Sequence, residues 1–546
     1  MHDKVGYSKM GFRLVANLGG TAGDCELLSL SRDEGSFCIT GLLTSIIRST
    51  DSLERRHTMI QPDMNSIKAL SERYDIVPVQ EEIYADVTTP ILLLRRIAGS
   101  RKNYFLLESI EGGEKWGRYS FLGYDPLMRV TCREDVVTIR ERNQEQVIRG
   151  EDPFQVLRDI LNNYKAPRVE GMPPFAGGFV GYFAYAMIAH AEPKLKIKRG
   201  DFADYDLMMF DKVIAYDHLK QKIIVVANVR TEGNIEENYA KTRADIKGIA
   251  ALVRDDTPLP EEAAYDKVKF CCNVTKEEYA DIVEKTREYI VDGDIFQAVL
   301  SRQFVSDYEG SLINPYRVLR TTNPSPYMVY MNMEDVEIMS TSPETLVRLQ
   351  DGRLVTFPVA GSRPRGKNEE EDEELVRDLM KDAKELSEHN MLVDLGRNDL
   401  GRISEFGSVE VTRYQMIHKY SKIMHICSQV EGNIREDKDA LDAIRAVLPA
   451  GTLSGAPKIR ACEIIDELES EPRGIYGGAL GYIDFSGNLD TCIAIRMAVK
   501  KEDKVYVQAG GGLVADSVPD LEYQESANKA KAVMLAIEKA GEVLVP

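Results

Sequence analysis

The chain is organised around one acidic stretch, Lys384-Glu-Leu-Ser-Glu-His-Asn-Met-Leu-Val-Asp-Leu-Gly-Arg-Asn-Asp-Leu-Gly-Arg402. Its leucine and methionine residues recur at a partly helical spacing, and we expect the helix to stop at Gly396. Glu385 and Glu388 are three residues apart, so a helix presents both carboxylates on one face. A solvated helix face is the commonest explanation of such a pair. Acids this dense beside apolar residues also suit a cation site, and both interpretations stay open at this point.

A second acidic segment, Leu521-Glu-Tyr-Gln-Glu-Ser-Ala-Asn-Lys529, follows the glycine run Gly510-Gly-Gly512. Glycines at the end of a strand let a ligand approach the backbone closely. Glu525 and Lys529 are four residues apart, and as an exposed helical pair they contribute only about 0.3–0.5 kcal/mol. Alternatively, they present a metal ligand and a carboxylate-binding ammonium to one pocket. Carboxylates from two segments form an all-oxygen site that suits Mg²⁺, which is therefore the expected cofactor.

The composition excludes several classes of partner. The chain has 546 residues, of which 43% are hydrophobic, and a net charge of −19. Nucleic acids and anionic membranes both bind basic surfaces, so neither is expected as a partner. The eight cysteines are scattered without a C-x-x-C pair, and no apolar run reaches the ~18 residues of a membrane span. We expect a soluble cytoplasmic protein.

Composition also divides the chain into three parts. Residues 1–63 mix glycine, serine and threonine with charges of both signs, which fits neither a signal peptide nor a transit peptide. We expect them to form a disordered N-terminal extension outside the fold. Residues 254–262 have the composition of a linker. The predicted parts are therefore the extension, an N-terminal sub-domain over 64–253 and a second domain over 267–540.

Strand patterns dominate the chain between short helical segments. Segments such as 103–109, 118–123 and 222–228 are rich in strand-forming residues and are bounded by turn residues. Strands joined by hairpins, without regular alternation with helices, indicate an α+β fold with largely antiparallel sheet. Thr275 and Glu278 form a capping box that opens the next helix.

The segment Thr491-Cys-Ile-Ala-Ile-Arg-Met-Ala-Val499 alternates like a strand. This alternation places Cys492, Ala494 and Arg496 on one face. An arginine beside small residues has room for a planar carboxylate ligand, which its two-pronged guanidinium matches. A structural ion pair is an equally common role for such an arginine. The loop 449–458, which feeds a helix start with free backbone donors, is a further candidate for anion binding.

Five segments, in order along the chain, resemble the chorismate-utilising enzymes. They are Pro358-Val-Ala-Gly-Ser-Arg-Pro-Arg-Gly366, 384–399 of the acidic stretch, Gly451-Thr-Leu-Ser-Gly-Ala-Pro-Lys458, Tyr476-Gly-Gly-Ala-Leu-Gly-Tyr482 and Gln508-Ala-Gly-Gly-Gly512. The resemblance extends over 69–539. It implies an α+β fold of two extended, mainly antiparallel β-sheets packed together with flanking helices. It also implies that 267–540 is the chorismate-binding catalytic domain, that 64–253 carries a feedback element, and that chorismate is bound with Mg²⁺.

This resemblance carries functional roles onto particular residues. Glu388 and Glu525 match metal ligands. His425 matches the acid that assists loss of the ring hydroxyl, and Glu385 matches a carboxylate at the reacting ring. The positions that match chorismate contacts are Gly361, Ser362, Thr452, Tyr476, Arg496, Gly510, Gly511, Gly512 and Lys529. Where this chain has Ser362 the family usually has threonine, and serine retains the hydroxyl.

Two positions distinguish the activities within this family. Relatives that make isochorismate or salicylate have a lysine at the position of Gln297, and aminodeoxychorismate synthase has one at Ala360. Neither amine is present here, which points to ammonia as the nucleophile and to the component I subunits of anthranilate synthase. The resemblance therefore implies formation of anthranilate and pyruvate, the first step of tryptophan biosynthesis. The residues that match the family's feedback site for tryptophan are Ser109, Pro326, Tyr327 and Met328.

Ammonia must come from outside the chain. A glutamine-hydrolysing module needs a nucleophilic cysteine in a G-x-C-x-G setting, and none of the eight cysteines has one. We therefore expect a separate glutamine amidotransferase subunit, with which the chain forms a hetero-oligomer. Two alternatives remain: an aminodeoxychorismate synthase component I, and a regulatory homologue without catalytic activity.

Overall fold

The structure is a computed structural model that describes residues 60–109, 117–142, 144–259, 268–420 and 423–541. These residues belong to one compact unit. The predicted N-terminal extension, 1–63, lies outside them except for 60–63, and so do residues 260–267 at the predicted linker. Within the described residues, no helix is both long enough and apolar enough to cross a membrane.

Helices flank the sheets throughout the described part of the chain. They are α1 (Met64–Leu70), α2 (Pro90–Ala98), α3 (Pro153–Leu161), α4 (Ile188–Ala191), α5 (Ile235–Arg254), α6 (Lys276–Val291), α7 (Ile313–Thr322), α8 (Glu369–Leu379), α9 (Ala383–Gly401), α10 (Ala440–Val447), α11 (Lys458–Leu468) and α12 (Pro519–Glu538). Two short 3₁₀ turns, Tyr185–Met187 and Gly451–Leu453, accompany them. The predicted capping box of Thr275 and Glu278 opens α6 and is confirmed.

Strands make up most of the remaining regular structure. Those before the predicted linker are β1 (Ile76–Tyr84), β2 (Asn103–Glu108), β3 (Tyr119–Tyr124), β4 (Met128–Arg133), β5 (Val136–Glu141), β6 (Gln144–Arg149), β7 (Gly178–Phe183), β8 (Tyr205–Phe210), β9 (Lys212–Asp217) and β10 (Lys222–Arg230). Those after it are β11 (Cys271–Cys272), β12 (Gln297–Asp307), β13 (Tyr327–Met333), β14 (Val336–Ser342), β15 (Thr345–Gln350), β16 (Arg353–Thr356), β17 (Val359–Pro364), β18 (Glu410–Lys419), β19 (Ile423–Asn433), β20 (Gly455–Ala456), β21 (Ala479–Asp484), β22 (Leu489–Ile493), β23 (Met497–Lys501) and β24 (Lys504–Leu513). The predicted strands at 103–109, 118–123 and 222–228 correspond to β2, β3 and β10.

The strands form two large sheets. Sheet A has the order β1-β10-β9-β3-β2-β13-β14-β23-β24-β12-β11, with β20 also on β12. Sheet B has the order β17-β19-β16-β15-β22-β21-β7-β8-β4-β5-β6, with β18 also on β19. The pairs recorded between these strands are antiparallel. The predicted fold class, α+β with two extended, mainly antiparallel sheets, is therefore confirmed.

Both sheets mix strands from the two halves of the chain. In sheet A, β2 pairs with β13, and in sheet B, β7 pairs with β21. The segments 64–253 and 267–540 therefore do not form separate sheets, and the boundary predicted between them remains a division of the sequence. It follows that a site on either sheet depends on the whole described chain.

Apolar side chains fill the space between the sheets and on their outer faces. One buried cluster lies between the sheets and combines Phe105 and Phe121 of sheet A with Tyr182 and Met208 of sheet B. Two further clusters join the outer face of each sheet to the flanking helices. Each fully buried large apolar side chain contributes about 1.5–3 kcal/mol through removal from water. The sheets thereby form a rigid support for the polar residues at their ends.

The acidic stretch forms a longer helix than predicted. The predicted stop at Gly396 is wrong, because α9 continues through it to Gly401. A Cβ placed on Gly396 would lie 3.3 Å from Thr356 Cγ2 and 3.4 Å from a carbon of Pro358. This glycine therefore serves close packing of α9 on its neighbours and not helix termination.

The predicted single strand 491–499 is two strands in different sheets, so this prediction is wrong. β22 ends at Ile493 in sheet B, and β23 begins at Met497 in sheet A. Between them Arg496 has a φ of +48°, in the left-handed region that non-glycine residues seldom adopt. The apolar residues on both sides conceal this crossover, since each is buried in its own sheet.

Candidate active site

Parts of four elements lie beside α9. They are the start of β12, the end of β24, the turn around 451–457, and α12. Asp382 accepts hydrogen bonds from the amides of Lys384 and Glu385 (3.1 and 3.3 Å) and so fixes where α9 begins. This cap also fixes the face on which Glu385 and Glu388 lie.

Glu388 lies among other acids. Its Oε1 is 3.5 Å from Gln297 Nε2, the hydrogen bond that the structure records for this carboxylate. Burial raises the pKa of Glu388, and the charges of Glu385 and Glu525 raise it further, whereas Lys529 lowers it. An acid with neighbouring acids and few donors is disfavoured as an anion unless a cation binds it.

Glu525 and Lys529 form the ion pair that their spacing predicts. Lys529 Nζ lies 2.7 Å from Glu525 Oε1 and also donates a 3.0 Å hydrogen bond to the carbonyl oxygen of Gly510. The pair is therefore more than an exposed surface contact, because Lys529 connects α12 to the glycine end of β24.

Glu522 belongs to the same acid group, although it was not singled out from the sequence. Ser517 Oγ donates a 2.8 Å hydrogen bond to Glu522 Oε1. Burial raises the pKa of Glu522, and Glu525 raises it further. The three-residue spacing of Glu522 and Glu525 repeats that of Glu385 and Glu388. This repeated spacing is the signal by which the sequence could have identified it.

Glu388, Glu522 and Glu525 offer carboxylate oxygens, the donors that Mg²⁺ takes, but their ligand atoms do not all lie within 4.8 Å of one another in the described structure. A Cβ placed on Gly511 would lie 3.2 Å from Glu522 Oε2 and 3.6 Å from Glu525 Oε1, so the glycine leaves room beside both oxygens. An all-oxygen donor set that retains space for water and substrate suits Mg²⁺. The charge of Glu525 raises the pKa of both Glu388 and Glu522.

A different group of metal-type side chains lies on β4 and α4. Among the described residues, Cys132, His190 and Asp204 are the one such trio whose ligand atoms all lie within 4.8 Å of one another. Arg199 Nε donates to both carboxylate oxygens of Asp204 at 3.1 Å. Burial raises the pKa of the Cys132 thiol. A guanidinium on the carboxylate and a neutral thiol both disfavour a cation, so this trio is a hydrogen-bond network.

His425 lies on β19, opposite β17. Its Nδ1 is 3.0 Å from the carbonyl oxygen of Gly361 and 3.0 Å from Ser362 Oγ. A carbonyl only accepts, so Nδ1 carries the proton in this arrangement and Nε2 has the free lone pair. Burial lowers the pKa of His425, the hydrogen bond to Gly361 raises it, and Arg496 and His418 lower it again, so the neutral ring is favoured.

Glu385 lies on the other side of Gly361. A Cβ on Gly361, whose φ is +69°, would lie 3.3 Å from Glu385 Oε2. Arg363 Nη1 is 3.5 Å from Glu385 Oε1. Burial raises the pKa of Glu385, and Asp382 raises it further. The structure therefore brings together the two residues predicted to be catalytic, His425 and Glu385, around one glycine.

Arg496 lies at the crossover between the sheets. Its Nη1 donates a 2.8 Å hydrogen bond to the carbonyl oxygen of Lys529. Burial lowers the pKa of Arg496, whereas Tyr476, Glu344 and Glu525 raise it. The structural ion pair considered from the sequence is not found among the described residues, so the guanidinium keeps donors for an anionic ligand.

Thr452 and Tyr476 lie in the same neighbourhood, together with an unanticipated acid. Thr452 Oγ1 donates a 3.0 Å hydrogen bond to Glu344 Oε2. Burial raises the pKa of Glu344, and Arg496 and Lys529 lower it. Burial also raises the pKa of Tyr476 to about 12. An acid directly before β15 is the sequence signal for Glu344.

The three glycines of β24 have different reasons to be glycine. A Cβ on Gly510 would lie 2.3 Å from the carbonyl oxygen of Leu300, and one on Gly512 would lie 2.1 Å from Gln297 Nε2. These two positions are therefore fixed by the neighbouring strand β12. Gly511 is the glycine that faces the acids. The predicted room for a ligand thus has direct support at one position of the three.

The loop 449–458 does not present its lysine to an anion. Lys458 Nζ is 2.9 Å from both carboxylate oxygens of Asp399 and 3.0 Å from the carbonyl oxygen of Val447. The ammonium therefore ties α11 to α9 and α10. The anion site that the loop was expected to form gains no support from this side chain.

The residues expected to bind tryptophan meet at the end of β2. Met328 of β13 pairs with Glu108, the neighbour of Ser109. Tyr327 Oη donates a 2.8 Å hydrogen bond to Asp490 Oδ1 of sheet B. Arg320 Nε is 2.5 Å from Glu108 Oε1. The structure thus brings Ser109 beside Tyr327 and Met328, with Pro326 directly before them, and these residues remain a predicted site.

Comparisons with known proteins agree with this arrangement. The family model for chorismate binding enzymes matches residues 103–535. Anthranilate synthase component 1 of Acetivibrio thermocellus is 46% identical over 494 residues, which cover 89% of this chain and 100% of that protein. The same component of Aquifex aeolicus is 44% identical, with coverage of 88% of this chain and 98% of that protein.

Solved structures show the same similarity. Anthranilate synthase component I of Streptococcus pneumoniae superposes with a TM-score of 0.70 at 37% identity, covering 83% of this chain and 98% of that one. The menaquinone-specific isochorismate synthase of Escherichia coli shares the fold, with a TM-score of 0.63 at 18% identity and coverage of 87% and 98%. The chain therefore belongs to the chorismate-binding enzymes and, within them, to the component I family of anthranilate synthase.

Proposed function

We propose that the chain converts chorismate and ammonia to anthranilate, pyruvate and water, as the first step of tryptophan biosynthesis in the cytoplasm. The observation that carries this proposal is the acid group of Glu388, Glu522 and Glu525 beside the cations Arg496 and Lys529. Chorismate has two carboxylates, and a site with a metal-binding acid group and separate cations can neutralise both. The full-length similarity to anthranilate synthase component 1 supports the same reaction.

Mg²⁺ is the proposed cofactor, held by Glu388 and Glu525 with Glu522 beside them. When bound, the ion would neutralise one substrate carboxylate and stabilise charge that develops during the reaction. Without the ion, these carboxylates repel one another, since the charge of Glu525 raises the pKa of both Glu388 and Glu522. We therefore expect substrate and metal to bind together more tightly than either does alone.

Substrate orientation depends on the cations and on the neutral donors around them. Arg496 and Lys529 would bind the second carboxylate, the former with two parallel hydrogen bonds. The hydroxyls of Ser362, Thr452 and Tyr476 and the backbone at Gly361 and at 510–512 complete the proposed substrate contacts. Because these groups come from both sheets, the substrate is held where the sheets meet, which fixes the ring relative to the reacting groups.

Proton transfer requires an acid and a base at the ring. Ammonia adds to the ring, the ring hydroxyl leaves as water with a proton, and loss of a ring proton then expels pyruvate. His425 is the proposed donor for loss of the hydroxyl, and because burial favours its neutral form it would first take up a proton at Nε2. Glu344 is a second donor because burial favours its protonated form. Glu385 is the proposed carboxylate at the reacting ring.

Ammonia is the proposed nucleophile because Gln297 and Ala360 are not amines. Relatives named component 1 imply a second component, and we propose that this partner is a glutamine amidotransferase that releases ammonia to the chain in a hetero-oligomer. Tryptophan is the proposed feedback inhibitor, bound at Ser109, Pro326, Tyr327 and Met328. The pairing of β2 with β13 supports a single site for these residues.

One assay tests the proposal. The purified chain is incubated with chorismate, Mg²⁺ and an ammonium salt, and the product is followed by fluorescence and mass. We expect anthranilate, lost on chelation and reduced by excess tryptophan. Accumulation of aminodeoxychorismate would move the chain to that sister activity. No turnover by the chain, even with the partner added, would favour a regulatory homologue.

A further inference from the structure

Arg302 is a buried arginine of β12 that contacts α12, the helix that carries Glu522 and Glu525. Its side chain is among the largest that are fully buried, with 2% of the residue exposed. Nε donates a 2.9 Å hydrogen bond to Ser526 Oγ, and Nη2 donates a 2.6 Å hydrogen bond to the carbonyl oxygen of Tyr523. Both acceptors belong to α12. Arg302 therefore connects β12, near one edge of sheet A, to this helix.

The Arg302 charge is compensated in an unusual way. Among the described residues, no carboxylate lies within ion-pair distance of it. Its guanidinium carbon lies 3.6, 5.1 and 5.6 Å from the ring centres of Tyr523, Phe304 and Tyr279. Ring faces attract a cation, but burial of a charge without a counter-ion is costly. An apolar residue would attach the helix at less cost, which indicates that the directional hydrogen bonds matter.

The contacts of Arg302 alternate along α12 with the acids. Tyr523 and Ser526 each directly follow one of the acids Glu522 and Glu525. Successive helical residues are about 100° apart, so the face held by Arg302 adjoins the face that carries the carboxylates and Lys529. A carboxylate about 6 Å from the helix axis moves about 1 Å when the helix turns by about 10°. By fixing the rotation of α12 about its axis, Arg302 therefore also fixes the direction in which Glu522 and Glu525 point.

We propose that Arg302 is a positioning residue that sets the rotation of α12 and thereby the placement of Glu522, Glu525 and Lys529. The identity of the ligands, Mg²⁺ and chorismate, rests on the function proposed above. Arg302 acts through α12, so it affects the binding of both ligands together.

Two substitutions test this role against a matched control. Arg302→Met keeps the length and removes the donors and the charge, and Arg302→Lys restores the charge without the two-pronged geometry. Arg230→Met is the control: the Arg230 guanidinium lies 3.9 Å from the Tyr164 ring centre, and its Nη1 donates a 3.0 Å hydrogen bond to the carbonyl oxygen of Asn163. Arg230 thus has the same kinds of contact, on β10.

We expect Arg302→Met to raise both the half-saturating Mg²⁺ concentration and the KM for chorismate by about 10–100-fold, as loss of a ligand-orienting contact does. The kcat should fall by less than either of these rises. Arg302→Lys should recover part of the loss, and Arg230→Met should leave both values unchanged. Chorismate binding in the presence of Mg²⁺, measured by calorimetry, should follow the same order.

A folded Arg302→Met variant with unchanged Mg²⁺ requirement and KM would overturn the proposal, and so would an equal change in Arg230→Met. If Arg302→Met does not fold, the double variant Ser526→Ala and Tyr523→Leu removes one polar and one ring contact, and no shift in its Mg²⁺ requirement would overturn the proposal. Should the unsubstituted chain form a product other than anthranilate, the function fails, while the binding comparison still tests Arg302.

Discussion

Two glutamates that contact β12 have opposite surroundings. Glu469 accepts hydrogen bonds from the amide and hydroxyl of Ser301 (2.6 and 2.8 Å) and from Nε and Nη2 of Arg473 (2.8 and 2.6 Å). Among the residues that the structure describes, Glu388 accepts one long hydrogen bond, from Gln297 at 3.5 Å, and it has acids on both sides. The first carboxylate is saturated by the protein, whereas the second is left for a ligand.

This difference separates a glutamate that stabilises the fold, Glu469, from one that is available to a ligand, Glu388. Arg473 also donates to the carbonyl oxygens of Leu453 and Val299, so the Glu469 network fixes the turn that presents Thr452. A saturated buried network gives rigidity, and removal of one member leaves a buried charge without its partner. An unsaturated acid instead weakens the free protein and gains its partner on binding. The two glutamates should therefore respond in opposite ways to loss of the carboxylate.

The largest effect is expected from Glu469→Ala. The change leaves the Arg473 guanidinium buried without a counter-ion, so the free energy of unfolding should fall by about 3–5 kcal/mol. Denaturation by urea measures it. A loss below about 1 kcal/mol would show that water replaces the missing carboxylate in the network. The number of hydrogen bonds to each carboxylate would then not explain the difference between Glu469 and Glu388.

Glu388→Gln should affect turnover and spare stability. Loss of a metal-binding carboxylate should lower kcat/KM by about 10²–10³-fold, since a bound metal supplies several kcal/mol of charge stabilisation. The unfolding free energy should stay equal or rise, because repulsion from Glu385 and Glu525 is relieved. Steady-state kinetics and urea denaturation on the same preparation check both parts. A destabilised variant with normal turnover would reverse the assignment of the two glutamates.

Gly511→Ala should give a smaller, local effect. The new Cβ would lie 3.2 Å from Glu522 Oε2, so the carboxylate must shift. We expect the half-saturating Mg²⁺ concentration to rise by about tenfold, as it does when a residue that orients a metal ligand is changed. Gly248→Ala in α5 is the control, since a Cβ there meets no atom within 4 Å, and it should leave the Mg²⁺ requirement unchanged. Equal values in the two variants would contradict the placement of the acids around Gly511.

The smallest effect concerns pH. The pKa of Glu388 is raised above its ordinary value of 4.5, so the folded protein binds this proton more readily than the unfolded chain does. The contribution of Glu388 to stability is therefore fully present below pH 4.5 and is lost as the pH rises through the raised pKa. Mg²⁺ competes with the same proton, so its affinity should fall as the pH is lowered through that window. Measurement of Mg²⁺ affinity against pH, for the unsubstituted chain and for Glu388→Gln, tests this expectation. If the two pH profiles are identical, protonation of Glu388 does not control Mg²⁺ affinity.

Much of the fold class and the family were predictable from the sequence, because both depend on local patterns. Hairpin strands and the capping box of Thr275 are short-range features, and the motifs around Glu388 and Glu525 are specific as a set. The crossover at Arg496 was not predictable, since alternation of apolar residues looks the same within one sheet and across two. Glu344 and Glu522 were not predicted because the role of an acid depends on residues that are distant in sequence. These residues are Arg496 for Glu344 and Gly511 for Glu522.

The interleaving of the two halves has a consequence for how the protein is made. Val180 of β7 pairs with Tyr482 of β21, and the ribosome must add all the residues between them before that pair can form. At about 5–20 residues per second the wait is about 15–60 s. During this time the edge of β7 that will pair with β21 is open, and an open strand edge can pair with the wrong strand or with another chain. Release of a half-made chain is therefore a greater hazard for this protein than for one built from successive independent domains.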